Sequence, residues 1–244
     1  MKLNQEIDSM LTQLSLRGIK DNIESVILLS EKKNLSYLNF LERLLRSEID
    51  NRNTKRLHRN FSAAHFPNEK RLESFNFDNV KGITKFDISN LCDLSWIDRN
   101  QNLLLFGPPG VGKTHLSIAL GFIAIENGYT VCFERATNLM KLLKTSVTQK
   151  SSEFRIKKIA SVDLFIIDEI GYTPIDKREA NLFFNLVSDL YEKSSIIISS
   201  NKSFELWAEM LGDPIMTSAL LDRLLHHSKV FNLEGNSFRL QKSN

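Results

Sequence analysis

The run Gly107-Pro108-Pro109-Gly110-Val111-Gly112-Lys113-Thr114 has the spacing Gly-x4-Gly-Lys-Thr, which suits the gripping of phosphate. Glycines let successive backbone N–H groups turn inward around phosphate oxygens, and a helix opening at the lysine adds the partial positive charge of its N-terminus. Lys113 is expected to reach the β- and γ-phosphates of a nucleoside triphosphate, and the Thr114 hydroxyl to ligate Mg2+. Such a site needs an acid at the end of a neighbouring strand. Leu164-Phe165-Ile166-Ile167-Asp168-Glu169 supplies it, with four apolar residues followed by two carboxylates. Asp168 is expected to hold Mg2+ through water, and Glu169 to act as base on an attacking water. The adjacent Glu favours hydrolysis over transfer to a small acceptor. Asn201 closes the run 195–200 and is placed to touch the γ-phosphate or its water. A guanine-reading Asn-Lys-x-Asp does not form, because Asn201-Lys202-Ser203 is followed by Phe204. ATP is the nucleotide expected.

These residues need a scaffold that ends strands beside a glycine loop. From about residue 102 the pattern alternates between short apolar runs and amphipathic stretches: a strand at 103–106, a helix at 113–127 stopped by Gly128, and a strand at 130–133. A basic helical stretch from Ala136 follows, then strands at 164–167 and 195–199 around a helix opened by Asp176. Asp176 and Glu179 have capping-box spacing, with Leu182, Phe183, Leu186, Val187 and Leu190 as the buried face. Strand–helix alternation of this kind predicts an α/β fold, a parallel sheet with helices on both faces.

Residues before about 61 read as helical. Ile7, Met10, Leu11 and Leu14 follow helical spacing, a second pattern covers 19–31, and Ser36 is a plausible N-cap for a third helix with Leu38, Leu41, Leu44 and Leu45 inward. The stretch 63–73, containing Pro67, is read as the joint, giving a helical N-terminal domain at 1–66 and an ATPase core at 67–244.

Charge is uneven along a chain whose formal net is only +3. Arg52, Lys55, Arg56 and Arg59 fall on one helical stripe with no acid between 51 and 61. Between 135 and 158 seven bases, among them Lys141, Lys144, Lys150, Arg155, Lys157 and Lys158, face Glu153 alone. Two such patches predict polyanion contacts, made mainly to phosphate because no helix-turn-helix pattern stands out. No apolar run is long enough for a bilayer and no signal-like leader is present, so a cytoplasmic protein without a membrane partner is expected. Cys92 and Cys132 lack metal-ligand spacing, and Cys132 reads as a buried apolar residue.

Three motifs together resemble the IstB-like ATP-binding proteins, the AAA+ helpers encoded beside a transposase in bacterial insertion sequences. They are the glycine loop with His115-Leu116, Ile167-Asp168-Glu169-Ile170-Gly171-Tyr172, and Leu221-Asp222-Arg223-Leu224-Leu225-His226-His227. The segments 38–48 and 66–77 extend the likeness to nearly the whole chain. The resemblance implies a five-stranded parallel AAA+ sheet, and it adds His115 to the nucleotide-binding loop. It makes Asn201 a sensor, Arg223 an arginine finger serving a neighbouring subunit, and Arg239 a second sensor-like arginine. It also implies DNA, a transposase or integrase, and copies of the chain itself as partners. Twenty-one residues follow Arg223, too few for a separate helical lid, so an adjacent subunit is expected to shield the phosphates in an ATP-favoured homo-oligomer. A DnaC-type helicase loader is the alternative sharing these residues. A small-molecule kinase would need an arginine-rich lid that is not evident, and a non-hydrolysing homologue would not need Glu169. His226 and His227 read as a structural pair at a helix end.

Overall fold

A computed structural model describes residues 4–77, 79–171 and 175–237. The chain divides into two compact units, Met1–Arg59 and Asn60–Asn244.

The first unit is helical: α1 (Gln5–Gln13), α2 (Arg17–Lys33) and most of α3 (Tyr37–Ala64). Asn4 caps α1 by accepting from the Glu6 N–H, and Ser36 Oγ accepts from Asn39 N–H at the start of α3. The core is small, with Ile19, Ile23 and Leu44 buried and Leu11, Phe40 and Ile27 packed around them. Gly18 lets α2 approach α3 closely, since a Cβ there would lie 2.5 Å from the Ser47 carbonyl oxygen and 2.7 Å from Glu48 Cα. Glu48 closes that crossing from the other side. Its carboxylate accepts from the N–H groups of Gly18 (2.7 Å) and Ile19 (3.2 Å), donors that the first turn of α2 leaves without helical partners. The inward set differs from expectation. Of Leu38, Leu41, Leu44 and Leu45 only Leu44 is buried, and Leu38 is 79% exposed. The small α1–α2–α3 core closes over one position per turn of α3 and leaves its neighbours outside.

The second unit is built on a parallel sheet. In chain order it contains β1 (Val80–Lys81), α4 (Lys85–Cys92), α5 (Ser95–Asp98), β2 (Asn102–Phe106), α6 (Lys113–Glu126), β3 (Val131–Arg135) and α7 (Ala136–Ser146). Then come α8 (Lys150–Ile159), β4 (Leu164–Ile170), α9 (Lys177–Leu190), β5 (Ser195–Ser200), α10 (Trp207–Leu211), α11 (Pro214–Leu225), β6 (Ser228–Asn232) and β7 (Glu234–Gly235). Five strands pair in the order β3-β4-β5-β2-β6, every pair parallel, and β1 pairs with β7 as a separate antiparallel ribbon. Strands β2, β4 and β5 are buried along their whole length apart from Glu169, as strands covered on both faces must be. Helix α6 is buried nearly all round, and α9 carries the full Asp176–Glu179 capping box. The basic stretch after Ala136 is two helices, because 147–149 break between α7 and α8. Cys132 is fully buried, and that burial pushes its thiol up to about 11. No helix among the described residues is long and apolar enough to cross a membrane.

The Glu48 contact carries a pH consequence. The Arg52 guanidinium, 2.7 Å from Glu48, and the two backbone donors hold its carboxyl below the ordinary glutamate range, against the opposing effect of burial. A depressed folded value means the stabilisation is present at neutral pH and is lost as pH falls through that lowered value. Hydrogen-exchange protection of α2, measured on the full chain and corrected for intrinsic rates, is therefore expected to decline below the ordinary glutamate range. Glu48→Gln is expected to start lower at neutral pH and to stay flat through that window.

Candidate functional site

Strand β2 ends at Phe106, and the chain turns at once into the glycine loop before entering α6. Gly107, Gly110 and Gly112 take φ values of 145°, 81° and 108°, where a side chain would be strained. Space forbids one as well. A Cβ would fall 2.1 Å from the Leu233 carbonyl oxygen at Gly107, 2.2 Å from Ser237 Oγ at Gly110, and 2.8 Å from Phe75 Cε2 at Gly112. The loop is thus wrapped by the segment around Leu233 and by Phe75, while Pro108 and Pro109 stay exposed and Val111 is buried beneath them. Lys113 is buried and its ammonium donates to the carbonyl oxygens of Gly107 (2.6 Å) and Pro108 (2.8 Å), which holds the amine over the loop.

Across from the loop, β4 brings up its two acids. Asp168 is 1% exposed, and its carboxylate accepts from Thr114 Oγ1 at 2.8 and 3.0 Å and from Ser199 Oγ at 2.5 Å. The Thr114 hydroxyl and the Asp168 carboxylate, 54 residues apart, therefore meet at the C-terminal edge of the sheet. Glu169 departs from strand geometry. The β4–β5 register shifts between Ile167 and Ile170, and Glu169 has φ +63°, a left-handed conformation that is uncommon away from glycine. The bulge swings Glu169 out of the ladder, so that it alone in β4 is not buried.

Ser199 links the two acids. While its hydroxyl donates to Asp168, its oxygen accepts the Glu169 N–H at 2.9 Å. One buried side chain thus orients the aspartate and pins the peptide of the left-handed residue. In the sequence Ser199 is marked by nothing beyond its position two before Asn201. Asn201 lies where β5 ends, next to Gly171, and its Oδ1 is buried with no hydrogen-bond partner. A buried acceptor left unpaired costs about 1–3 kcal/mol, which is the signature of a group meant for a water or a ligand.

The remaining sequence-derived residues separate from this cluster. The His115 ring turns to the 71–75 segment, with Nε2 2.8 Å from the Arg71 carbonyl oxygen and the ring edge-on to Phe75; burial holds its pKa below the ordinary histidine value. Arg223 is at the other end of the sheet. Asn102, the first residue of β2, donates its Nδ2 to the Leu224 carbonyl oxygen (3.0 Å) and its N–H to that of His227 (2.7 Å). Arg223 therefore sits beside the N-terminal edge, whereas the glycine loop leaves the C-terminal edge. Its guanidinium stacks over Phe184 of α9 at 4.4 Å. Arg239 lies outside the described residues.

Among the basic residues, Lys55, Arg56, Arg59, Lys141 and Lys150 are exposed, as is Lys157, which pairs with Glu153. Lys144 is exposed beside Asp176 and Glu179, Lys158 is half-buried, and Arg52 pairs with Glu48. Arg155 corrects the expected surface stripe. Its guanidinium is 12% exposed and is taken by buried Glu134, with Nε at 2.8 Å and Nη2 at 2.7 Å from the same oxygen. It neutralises an internal carboxylate rather than facing solvent.

The residues fit a nucleotide with Mg2+ on three observations of this site: loop glycines that no side chain can replace, a hydroxyl–carboxylate pair of hard oxygen donors, and an unpaired buried amide oxygen beside them. The chain is 38% identical over 237 residues to the ATP-binding protein assigned to insertion sequence IS21 of Pseudomonas aeruginosa, covering 97% of this chain and 89% of that one. The fold is similar to the crystal structure of DnaI, with a TM-score of 0.59 at 15% identity over 68% of this chain and 92% of that one. It is also similar to the DnaC helicase loader, with a TM-score of 0.55 at 17% identity over 72% of this chain and 99% of that one. The family profile described as IstB-like ATP binding protein matches residues 9–244, and the chain belongs to that family.

Proposed function

We propose that this chain is an Mg2+-dependent ATPase that serves as a DNA-binding helper to the transposase of an insertion sequence. The meeting of Thr114 and Asp168 beside the lysine-held loop carries the reading, because a hydroxyl and a carboxylate joined in this way form a ready pair of metal-side oxygens. Bound there, Mg2+ neutralises phosphate charge. The backbone N–H groups of 110–115 are placed to donate to the phosphates, Pro108 and Pro109 having none to offer, with His115 acting through its main chain, and Lys113 exchanges its carbonyl partners for β- and γ-phosphate oxygens. Glu169, turned out by the bulge, takes a proton from the attacking water, and Asn201 aligns that water through its unpaired oxygen.

The position of Arg223 supports assembly. Strand β2 alone spans about 16 Å at ~3.3 Å per residue, so an arginine at the opposite sheet edge cannot reach the phosphates of its own loop. A second copy can bring it there, which makes Arg223 a finger in trans within a homo-oligomer. Lys55, Arg56, Arg59, Lys141 and Lys157 supply exposed cations for DNA phosphate, with Lys144 and Lys158 at the margins; Arg155 is left out because Glu134 holds it. The helper reading is preferred to a DnaC-type loader because 38% identity over nearly the whole chain ties it to an insertion-sequence protein, whereas the DnaC likeness at 17% is one of fold. Co-purification with the product of the neighbouring gene, with and without ATP, separates the two.

Each part of this reading has an expected outcome. Lys113→Ala should abolish Mg2+-dependent ATP binding by calorimetry, and unchanged binding would overturn the site. In the same series Glu169→Gln should keep binding but lose about 10²–10⁴-fold in turnover, and Ser199→Ala should lower kcat, since it removes the hydroxyl that holds both the Asp168 carboxylate and the Glu169 peptide. Mixing Arg223→Ala subunits with Lys113→Ala subunits should restore turnover, each variant lending its intact half to a shared site; two inactive variants that stay inactive when mixed would argue against action in trans. DNA affinity should fall log-linearly with salt, and Lys55→Ala/Arg56→Ala/Arg59→Ala should flatten that slope by about 1 per lost phosphate contact.

A further inference from the structure

Helix α11 ends at Leu225, and the next two residues are both histidines. The side chains of His226 and His227 lie with ring centroids 4.1 Å apart. Sequence spacing offered them no third partner. The fold brings one from the turn after α9, where Glu192 takes a left-handed φ of +59° and its carbonyl oxygen accepts from Asn100 Nδ2 at 2.8 Å. One ligand atom from each of Glu192, His226 and His227 falls within 4.8 Å of the others, and all three side chains are exposed.

We propose that Glu192, His226 and His227 form a site for a borderline transition-metal dication, Zn2+ foremost, with water completing four-coordination. Two imidazoles and a carboxylate are the donor set that Zn2+ favours over Mg2+ or Ca2+. With bonds of about 2.0–2.2 Å, tetrahedral ligands stand roughly 3.4 Å apart, so the exposed side chains close the gap by rotation alone. The backbone is already fixed on both sides: Asn100 holds the turn at Glu192, and the His227 carbonyl oxygen accepts the Asn102 N–H at 2.7 Å.

Two further features favour a cation here. The site lies at the C-terminus of a twelve-residue helix, the end at which the aligned peptide dipoles concentrate negative potential. Tyr191 OH is 2.7 Å from His226 Nδ1; with Nδ1–H donating to that phenol oxygen, the tautomer leaves Nε2 unprotonated for the metal, the outer-shell arrangement typical of ligating histidines. Arg223 stands one turn earlier on α11, lining the same cleft as Tyr191, Glu192 and His227. A bound ion therefore staples the end of the arginine's helix to the turn after α9. This site is independent of the nucleotide reading, since it uses neither the glycine loop nor the β4 acids.

The test is equilibrium dialysis of the full chain against Zn2+, followed by thermal unfolding. One Zn2+ per chain is expected, and Co2+ in its place should give the intense visible absorption of a four-coordinate site. His226→Ala/His227→Ala should lose that equivalent, and Glu192→Gln should bind at least roughly tenfold more weakly. Saturating Zn2+ should raise the unfolding temperature of the native chain by on the order of 5 °C and leave the double variant unmoved. No retained zinc, or an equivalent surviving in both variants, overturns the site; survival would move the ion to another ligand set, Asp168 and Glu169 being the obvious one. If circular dichroism shows the double variant misfolded, Glu192→Gln alone decides.

Discussion

The Asp168 carboxylate is almost wholly removed from water, and two hydroxyls hold it in place, that of Thr114 shared between both its oxygens and that of Ser199 on one of them. A buried anion is tolerable only when donors surround it, and here the donors come from the first turn of α6 and from β5. That requirement sets the distance between the glycine loop and β4, and it obliges β5 to lie between β4 and β2. The same Ser199 that donates to Asp168 accepts from the Glu169 N–H, so satisfying the buried acid also supports the bulge. Strain at one residue and solvation of its neighbour are thereby settled by a single hydroxyl.

The parallel sheet then divides labour between its edges. Its C-terminal edge gathers the glycine loop, the two acids and Asn201, as expected where helix N-termini converge on strand ends. Its N-terminal edge gathers the end of α11, the turn after α9 and the start of β2, tied together by Asn100 and Asn102. Arg223, Glu192 and the two histidines occur there because β6 must run parallel to β2, which places the end of α11 opposite the loop. A chain built this way holds two chemically distinct surfaces that cannot touch within one copy.

The helical first unit follows a different logic. Gly18 and Glu48 bring α2 and α3 together by contact and by capping, and only a few aliphatic side chains are buried in the process. Leu38, Leu41, Leu45 and Ile49 remain exposed along one side of α3. Small cores cannot cover every apolar position that helical periodicity marks.

Local chemistry was legible in the sequence wherever one stretch of backbone carries the signal. Glycine spacing, the capping box at Asp176, the stop at Gly128 and the apolar strands all depend on dihedral preference and on side-chain period, and these act over a few residues. The phosphate loop and its acids could be located that way, and so could the parallel sheet. What depends on distant segments was decided only by the fold. Ser199 gains its role because β5 lies in register beside β4, and Arg155 leaves the surface because Glu134 needs a buried counter-charge. Glu192 meets His226 and His227 only because two turns at one sheet edge are tied to the segment that enters β2, by Asn100 and by Asn102. Those partners lie 34 or more residues apart with no motif to pair them; strand register and helix packing place them.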